Sequence, residues 1–249
     1  MAENTLQKQK AIVIGASSGI GRALAKVFGE HGYAVGLAAR RLELLHQLQK
    51  EIPAQTFIKR IDISKPEEAM PALRELIEEM RGADVIVINS GINAHNVSLE
   101  WPGENDTIKV NVAGFCAMAN IALKYFEGKG AGQLVGISSI AGLRGSATSP
   151  AYSASKAFVS NYLEGLRHRV SAKNIYISDI RPGLVDTEMI KGFSRLFWVA
   201  SADQAARQIL RAIQQKKSIA YITRRWLLIA WLLKIMPDWV YRLRYKNEF

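Results

Sequence analysis

The segment Gly15-Ala16-Ser17-Ser18-Gly19-Ile20-Gly21 constrains this chain more than any other stretch. It sits between an apolar run at residues 11–14 and an amphipathic helical window that continues to about Gly32. Three glycines in seven residues permit a tight strand-to-helix turn and a close approach of backbone to a ligand. The following helix offers unpaired N–H groups and the positive end of its dipole to the same space. Strand, turn and helix in this order suit a pyrophosphate. The glycine triplet alone is also compatible with a turn that holds nothing.

Further short β-branched runs occur at 33–39, 56–61, 84–88, 134–138, 175–180 and 219–223, separated by longer helical windows. This alternation predicts an α/β, Rossmann-type, doubly wound fold: a mainly parallel seven-stranded sheet with helices on both faces. The windows place helices at 42–51, from the Ser64-Lys65-Pro66 opening with Ser64 as N-cap, at about 105–126, at 152–172 and at 201–215 behind a Ser201 cap. No linker rich in Pro, Gly or Ser divides the 249 residues, so residues 1–223 read as one domain. Residues 224–249 form a basic, tryptophan-rich helical extension.

Composition removes several function classes. One cysteine, Cys116, rules out an internal disulfide and a thiolate metal cluster. His31, His46, His95 and His168 lie far apart without ligand spacing, so no metal is expected. The polar first ten residues lack the apolar core of a signal peptide, which points to a reducing cytoplasm and makes Asn96-Val97-Ser98 no glycosylation site. The net charge of +11 is uneven: residues 1–100 balance 12 basic against 12 acidic side chains, whereas residues 191–249 carry 12 basic and 3 acidic. Such a tail suits an anionic substrate or an anionic lipid surface; nucleic acid is not expected, because no recognition motif accompanies the charge.

Tyr152 and Lys156 stand at i and i+4 and share one face of the helix read there. A free tyrosine titrates near pH 10, too high for proton transfer at neutral pH. A lysine ammonium one turn away favours the phenolate, and a depression of ~3 pH units is worth roughly 4 kcal/mol. At the end of the second strand, Ala39 replaces the acid that would accept a ribose 2′-hydroxyl, while Arg40 supplies a cation for a 2′-phosphate. Arg41 and Ser17 are second contacts.

The glycine spacing, the Tyr-x-x-x-Lys pair and their order resemble the short-chain dehydrogenase/reductase family, from Ala11 to about Thr223. The resemblance implies an NADP(H)-dependent oxidoreductase, with NAD(H) as the alternative cofactor, that interconverts a carbonyl and a secondary alcohol, chiefly as a reductase. It implies cofactor contacts at Gly15, Ser17, Ser18, Gly19, Ile20, Gly21, Arg40, Arg41, Asp62, Ile63, Asn89, Ser90 and Gly91, and at Tyr152, Lys156, Pro182, Gly183, Val185 and Thr187. Asp62 would meet the adenine, and Thr187 with the backbone near Val185 the nicotinamide carboxamide. The catalytic set it implies is Asn111, Ser139, Tyr152 and Lys156. Ser139 would hydrogen-bond the substrate oxygen, with its neighbour Ser138 as the alternative, and Asn111 would hold a proton-relay water. Two departures stand out: Ile14 where the family has Thr, which removes a contact supporting the turn, and Ser90 where it has Ala. Nucleotide-sugar epimerases or dehydratases share these motifs but have longer chains with a separate substrate domain. A non-catalytic NADP-sensing regulator is disfavoured by the intact Ser139–Tyr152–Lys156 set.

In that family residues 143–150 and 188–199 frame the substrate cleft, with His95 and Asn96 on a third side. The second segment is apolar with two cations, Lys191 and Arg195, which suggests a small-molecule carbonyl or alcohol with hydrophobic bulk or an anionic group. Beyond Thr223 the chain leaves the family outline. Residues 226–236 are apolar almost throughout, and Pro237-Asp238-Trp239 opens a basic helix to Arg244. As helix the apolar stretch spans ~17 Å, too short for a ~30 Å bilayer core. Peripheral membrane contact, helix packing in a homodimer or homotetramer, and packing on the domain's own core all remain open for it.

Overall fold

The structure, a computed structural model, describes residues 8–190 and 197–243. Seven strands form it: β1 (Lys10–Ile14), β2 (Ala34–Ala39), β3 (Thr56–Arg60), β4 (Val85–Ile88), β5 (Ala131–Ile137), β6 (Asn174–Pro182) and β7 (Ile219–Ile222). All pair in parallel, in the order β3-β2-β1-β4-β5-β6-β7. The doubly wound sheet expected from the alternating pattern is what the chain forms.

Both faces are covered because the strands are apolar on both sides. Ala11 and Val13 of β1, with Val85 and Val87 of β4, turn to one layer; Ile12, Ile14, Ile86 and Ile88 turn to the other. The first layer is covered by α1 (Gly19–Glu30), α2 (Leu42–Glu51) and α7 (Ala202–Gln214). The second is covered by α3 (Pro66–Glu79), α5 (Phe115–Lys129) and α6 (Pro150–Arg169). Strand order reverses beside β1, so the carboxyl ends of β1, β4 and β5 open onto a crevice suited to a ligand.

Two helix starts differ from expectation. Lys65, not Ser64, occupies the cap of α3, because the Ser64 hydroxyl donates to Asp62 at 2.7 Å instead of accepting from the helix. Pro66 stands in the first turn as expected. The helix expected from Asn105 begins earlier, as α4 (Trp101–Ile108). Pro102 suits its first turn, and the Asn96 side chain accepts from Glu100 N at 2.8 Å and donates to Glu100 O at 2.9 Å. A wider π-helical turn, Lys109–Gly114, then joins α4 to α5. Gly114 lies in that turn where a Cβ would stand 2.2 Å from Ile63 O, so only glycine allows this approach. Ser201 caps α7 as expected, its hydroxyl accepting from Gln204 N at 3.1 Å.

The extension forms α8 (Arg225–Ile235) and α9 (Asp238–Arg242); Arg244, where the second helix was expected to end, lies outside the described residues. Among the described residues no helix is long and apolar enough to cross a membrane.

Candidate active site

A cavity of about 1300 Å³ runs along the carboxyl ends of the strands, from the glycine turn to Tyr152 and on to α8. Register builds its first wall. Ile14 pairs with both Ala38 and Ile88, so the residues that follow β1, β2 and β4 leave the sheet at one level. Gly15 and Ala16 then donate to Ala38 O at 2.7 and 3.1 Å, and Gly15 adopts φ +93, a conformation that favours glycine. Asn89 closes the turn from the opposite side, its amide donating to Gly15 O at 3.0 Å. That bond holds the turn while Ile14 lies fully buried in the core.

Gly21 is the one expected cofactor residue of the turn that does not line the cavity. Its role is packing: a Cβ there would fall 2.1 Å from Gly15 O and 2.5 Å from the Asn89 amide. Gly15, Ser17, Ser18, Gly19 and Ile20 all line the wall, as do Arg40, Arg41, Asp62, Ile63, Asn89, Ser90 and Gly91. Arg41 donates to the hydroxyls of both Ser17 (3.2 Å) and Ser18 (3.1 Å), which fixes a guanidinium over the turn. Arg40 is exposed at the rim. Asp62 is held by Ser64, whose N–H and hydroxyl both donate to Oδ1.

The other end of the cavity gathers Ser139, Tyr152 and Lys156. The adjacent serines separate cleanly. Ser138 is buried and its hydroxyl donates to Asp179 Oδ1 and to Ile180 O (3.1 Å), whereas Ser139 is only part-buried and lines the cavity beside Tyr152. Ser139 also accepts from Ala141 N at 3.1 Å, opening a 3-10 turn over Ile140–Leu143. Lys156 is buried, donates to Ile137 O at 2.9 Å, and stands 5.8 Å from the centre of the Tyr152 ring.

Electrostatics in the chain alone reverse one expectation. Burial pushes the Tyr152 phenol above its ordinary value, and the nearby Ser139 hydroxyl only partly opposes this. The lysine carries the useful shift instead: desolvation pulls Lys156 down to about 8, against the opposing pull of Asp179.

Asn111 does not reach the cavity wall. It sits behind it in the wide turn, its carbonyl accepting from Ile92 N (2.9 Å) and its amide donating to Ile92 O (2.8 Å) and Ser155 Oγ (3.0 Å). A π-helical turn rotates this side chain off the regular helical track onto a neighbouring loop. Asn96 is likewise absent from the wall, being used to organise the start of α4, whereas His95 lines it.

Pro182, Gly183, Val185 and Thr187 line the third wall. Thr187 crosses close to the glycine turn: a Cβ on Gly19 would meet its methyl at 3.0 Å. Of the cleft segment 188–199, Glu188, Met189 and Phe197 line the cavity; Lys191 and Arg195 lie outside the described residues.

Four residues that shape the site were not singled out from sequence. Asp179 and Arg181 form an ion pair (2.7 Å) buried in β6, and Arg181 also donates to Tyr221 OH at 3.1 Å. Their i, i+2 spacing in an apolar strand was the available signal, since it puts both on one face. Arg144, from the loop after β5, donates to Met236 O at 2.7 Å and lies 4.7 Å over the Tyr241 ring, which ties α8 and α9 onto that loop. Trp226 of α8 packs against Gly183, where a Cβ would stand 2.1 Å from the indole, and its Nε1–H has no acceptor among the described residues. With Ile229, Leu233 and Met236 it walls the cavity, so the inner face of the extension meets the chain's own cleft.

A parallel doubly wound sheet with a glycine turn at its switch point and a Tyr–Lys pair in the same crevice defines a dinucleotide-dependent oxidoreductase architecture. The sequence matches the short chain dehydrogenase family over residues 9–195. It is similar to an uncharacterized oxidoreductase of Myxococcus xanthus, 36% identical over 194 residues that span 76% of each chain. Two solved structures share the fold. A short-chain dehydrogenase from Sphingobium yanoikuyae in complex with NADPH has TM-score 0.77 and 24% identity, covering 89% of this chain and 92% of that one. A short chain dehydrogenase/reductase from Burkholderia phymatum in complex with NAD has TM-score 0.82 and 19% identity, covering 90% and 92%. This chain therefore belongs to the short-chain dehydrogenase family, NAD(P)-using oxidoreductases that act on CH–OH groups.

Proposed function

We propose that this chain is an NADPH-dependent reductase that converts a carbonyl with apolar bulk into a secondary alcohol. The observation that carries this reading is one continuous cavity with a cation-bearing glycine turn at one end and Ser139, Tyr152 and Lys156 at the other. Its volume of about 1300 Å³ exceeds the roughly 300–1000 Å³ typical of a single small-ligand pocket, leaving room for dinucleotide and substrate together. The turn fits a pyrophosphate, because a side chain at Gly15 would stand 2.7 Å from Ser90 N and close the cradle.

NADPH held there supplies hydride to the carbonyl carbon. Ser139 and Tyr152 donate hydrogen bonds to the carbonyl oxygen, which concentrates charge where the new alkoxide forms, and Tyr152 delivers its proton there. Lys156 spends one N–H on Ile137 O and has two more, for the nicotinamide ribose and for returning a proton to Tyr152. Asn111 holds the Ile92 loop behind Lys156 and, through that loop, the proton path. Apolar side chains at Met189, Phe197, Trp226 and Leu233 favour hydrophobic bulk on the substrate.

The cofactor preference rests on Arg40 and Arg41. A 2′-phosphate would accept charge-assisted hydrogen bonds from both, and Ala39 presents no carboxylate to repel it. The test is a carbonyl panel followed by oxidation of NADPH beside NADH. Ala39→Asp combined with Arg40→Ala should lower the NADPH:NADH ratio of kcat/KM about 100-fold, the Arg40 contact being exchanged for a repulsion while Arg41 stays. An unchanged ratio would remove the NADP assignment, and no turnover on any carbonyl would remove the enzymatic reading.

The Lys156 shift adds a pH dependence. The group is protonated below about 8 and neutral above it. Its ammonium serves both the anionic cofactor and the proton return, so kcat/KM for NADPH, which reports the free enzyme, should fall as pH rises through about 8. A profile flat from pH 7 to about 10 would exclude Lys156 from that role.

A further inference from the structure

The outer face of α8 and α9 is apolar, exposed and ringed by cations. Leu227, Leu228, Trp231, Leu232 and Ile235 follow the i, i+1, i+4, i+5, i+8 track of one helix face, and Trp239 continues it on α9. Leu228 is 70% exposed, Trp231 64% and Trp239 69%. So large a contiguous apolar surface on a water-facing helix is a binding surface rather than ordinary exposure. The opposite face packs inward: Trp226, Ile229 and Leu233 line the cavity and Ala230 is buried beside them. Phe197, half-exposed and 5.3 Å from the Trp226 ring, lies on the cavity wall, so the cavity rim belongs to the same surface.

Charge selects the occupant. Arg224, Arg225, Lys234 and Arg242 are exposed around the patch; the one described carboxylate there, Asp238, is paired with Arg144 and Arg242. Arg224 and Arg225 stand at the start of α8 with no acid in its first turn, where the helix dipole disfavours cations. They do not serve the helix and remain available to an external anion. A second copy docked symmetrically would bring like charge against like, whereas an anionic lipid surface complements apolar face and cations together. Indole rings beside arginine and lysine suit the depth of the headgroups. At ~17 Å, α8 lies in that plane and does not span it.

We propose that α8 and α9 dock this chain onto an anionic membrane surface, so that its cavity takes a lipid-borne carbonyl directly from the bilayer. The delivery half rests on the reductase reading above; the docking half does not.

The test uses the full chain and vesicles of phosphatidylcholine with or without phosphatidylglycerol. The protein should co-sediment with the phosphatidylglycerol vesicles and be released by high salt. Leu228→Glu and Trp231→Glu, both outside the cavity walls, should each weaken partition roughly tenfold, on the scale of one large apolar side chain withheld from burial. Both should keep wild-type NADPH oxidation on a water-soluble ketone. A long-chain ketone dissolved in the vesicles should be turned over faster by the wild type than by Trp231→Glu; equal rates would overturn delivery. No partition to anionic vesicles would overturn docking, and a wild-type dimer made monomeric by either variant, without vesicle binding, would assign the face to a second copy. Partition without turnover of any ketone would leave docking standing and reject the reductase reading.

Discussion

Tyr152→Phe is expected to lower carbonyl-dependent NADPH oxidation by about 10²–10⁴-fold, the range for losing a positioned proton donor. The substitution removes one oxygen and keeps the ring that Lys156 faces at 5.8 Å. Cofactor binding, followed by the fluorescence of bound NADPH, should stay within about twofold, since the glycine turn and the Arg40–Arg41 pair are untouched. A loss confined to kcat, with KM for the carbonyl nearly constant, separates lost chemistry from lost substrate binding. Retained turnover would remove Tyr152 from the chemistry altogether. Burial raises the phenol's pKa in the chain alone, which keeps the proton on Tyr152 at neutral pH but makes the phenol a weaker acid, so the donating role depends on the Lys156 ammonium to favour the phenolate left behind.

The second large effect falls on stability. Asp179→Ala should cost about 3–5 kcal/mol, because it leaves the Arg181 guanidinium buried without its carboxylate and removes one of the two acceptors of the Ser138 hydroxyl. For a chain of this length that corresponds to a fall in Tm of roughly 6–20 °C, readable by differential scanning calorimetry. Replacing both partners by apolar residues, Asp179→Leu with Arg181→Met, should recover most of it, since the penalty comes from the unpaired charge and not from loss of an attractive pair. A single-site loss below about 1 kcal/mol would show the network to be solvated and its role at the strand end overstated. The position matters for the site because β6 is paired to β5 through Asp179↔Gly136, one residue before Ile137, whose carbonyl holds Lys156.

The parts of the site that were legible in sequence are those set by local backbone chemistry. The glycine turn, the Tyr152–Lys156 spacing and the Pro182-Gly183 turn depend on residues close together in the chain, and each lines the cavity as read. Ser139 was legible only with Ser138 as its alternative. Alternation along a strand could not decide between them, because past Ile137 the chain leaves the sheet for a 3-10 turn. Asn111 was assigned to a helix, but the wide turn that aims it at Ile92 has no signature in side-chain periodicity. Asn96 was read as lining the cleft and Gly21 as a cofactor contact of the turn; neither lines the cavity, Asn96 organising the start of α4 and Gly21 packing against Gly15.

By itself, the sequence determined the doubly wound class and the residue types at the strand ends. Apolar periodicity and turn chemistry act over a few residues, and seven strands of this kind allow little else. Only the tertiary structure decided where the extension lies. A helix apolar almost all round, such as α8, has no preferred face written in its own sequence, so its direction depends on what it meets. Gly183 leaves space for the Trp226 indole and Arg144 takes up the Met236 carbonyl, contacts between residues 43 and 92 positions apart. These put one side of α8 on the cavity and leave the other side, with its cations, facing outward.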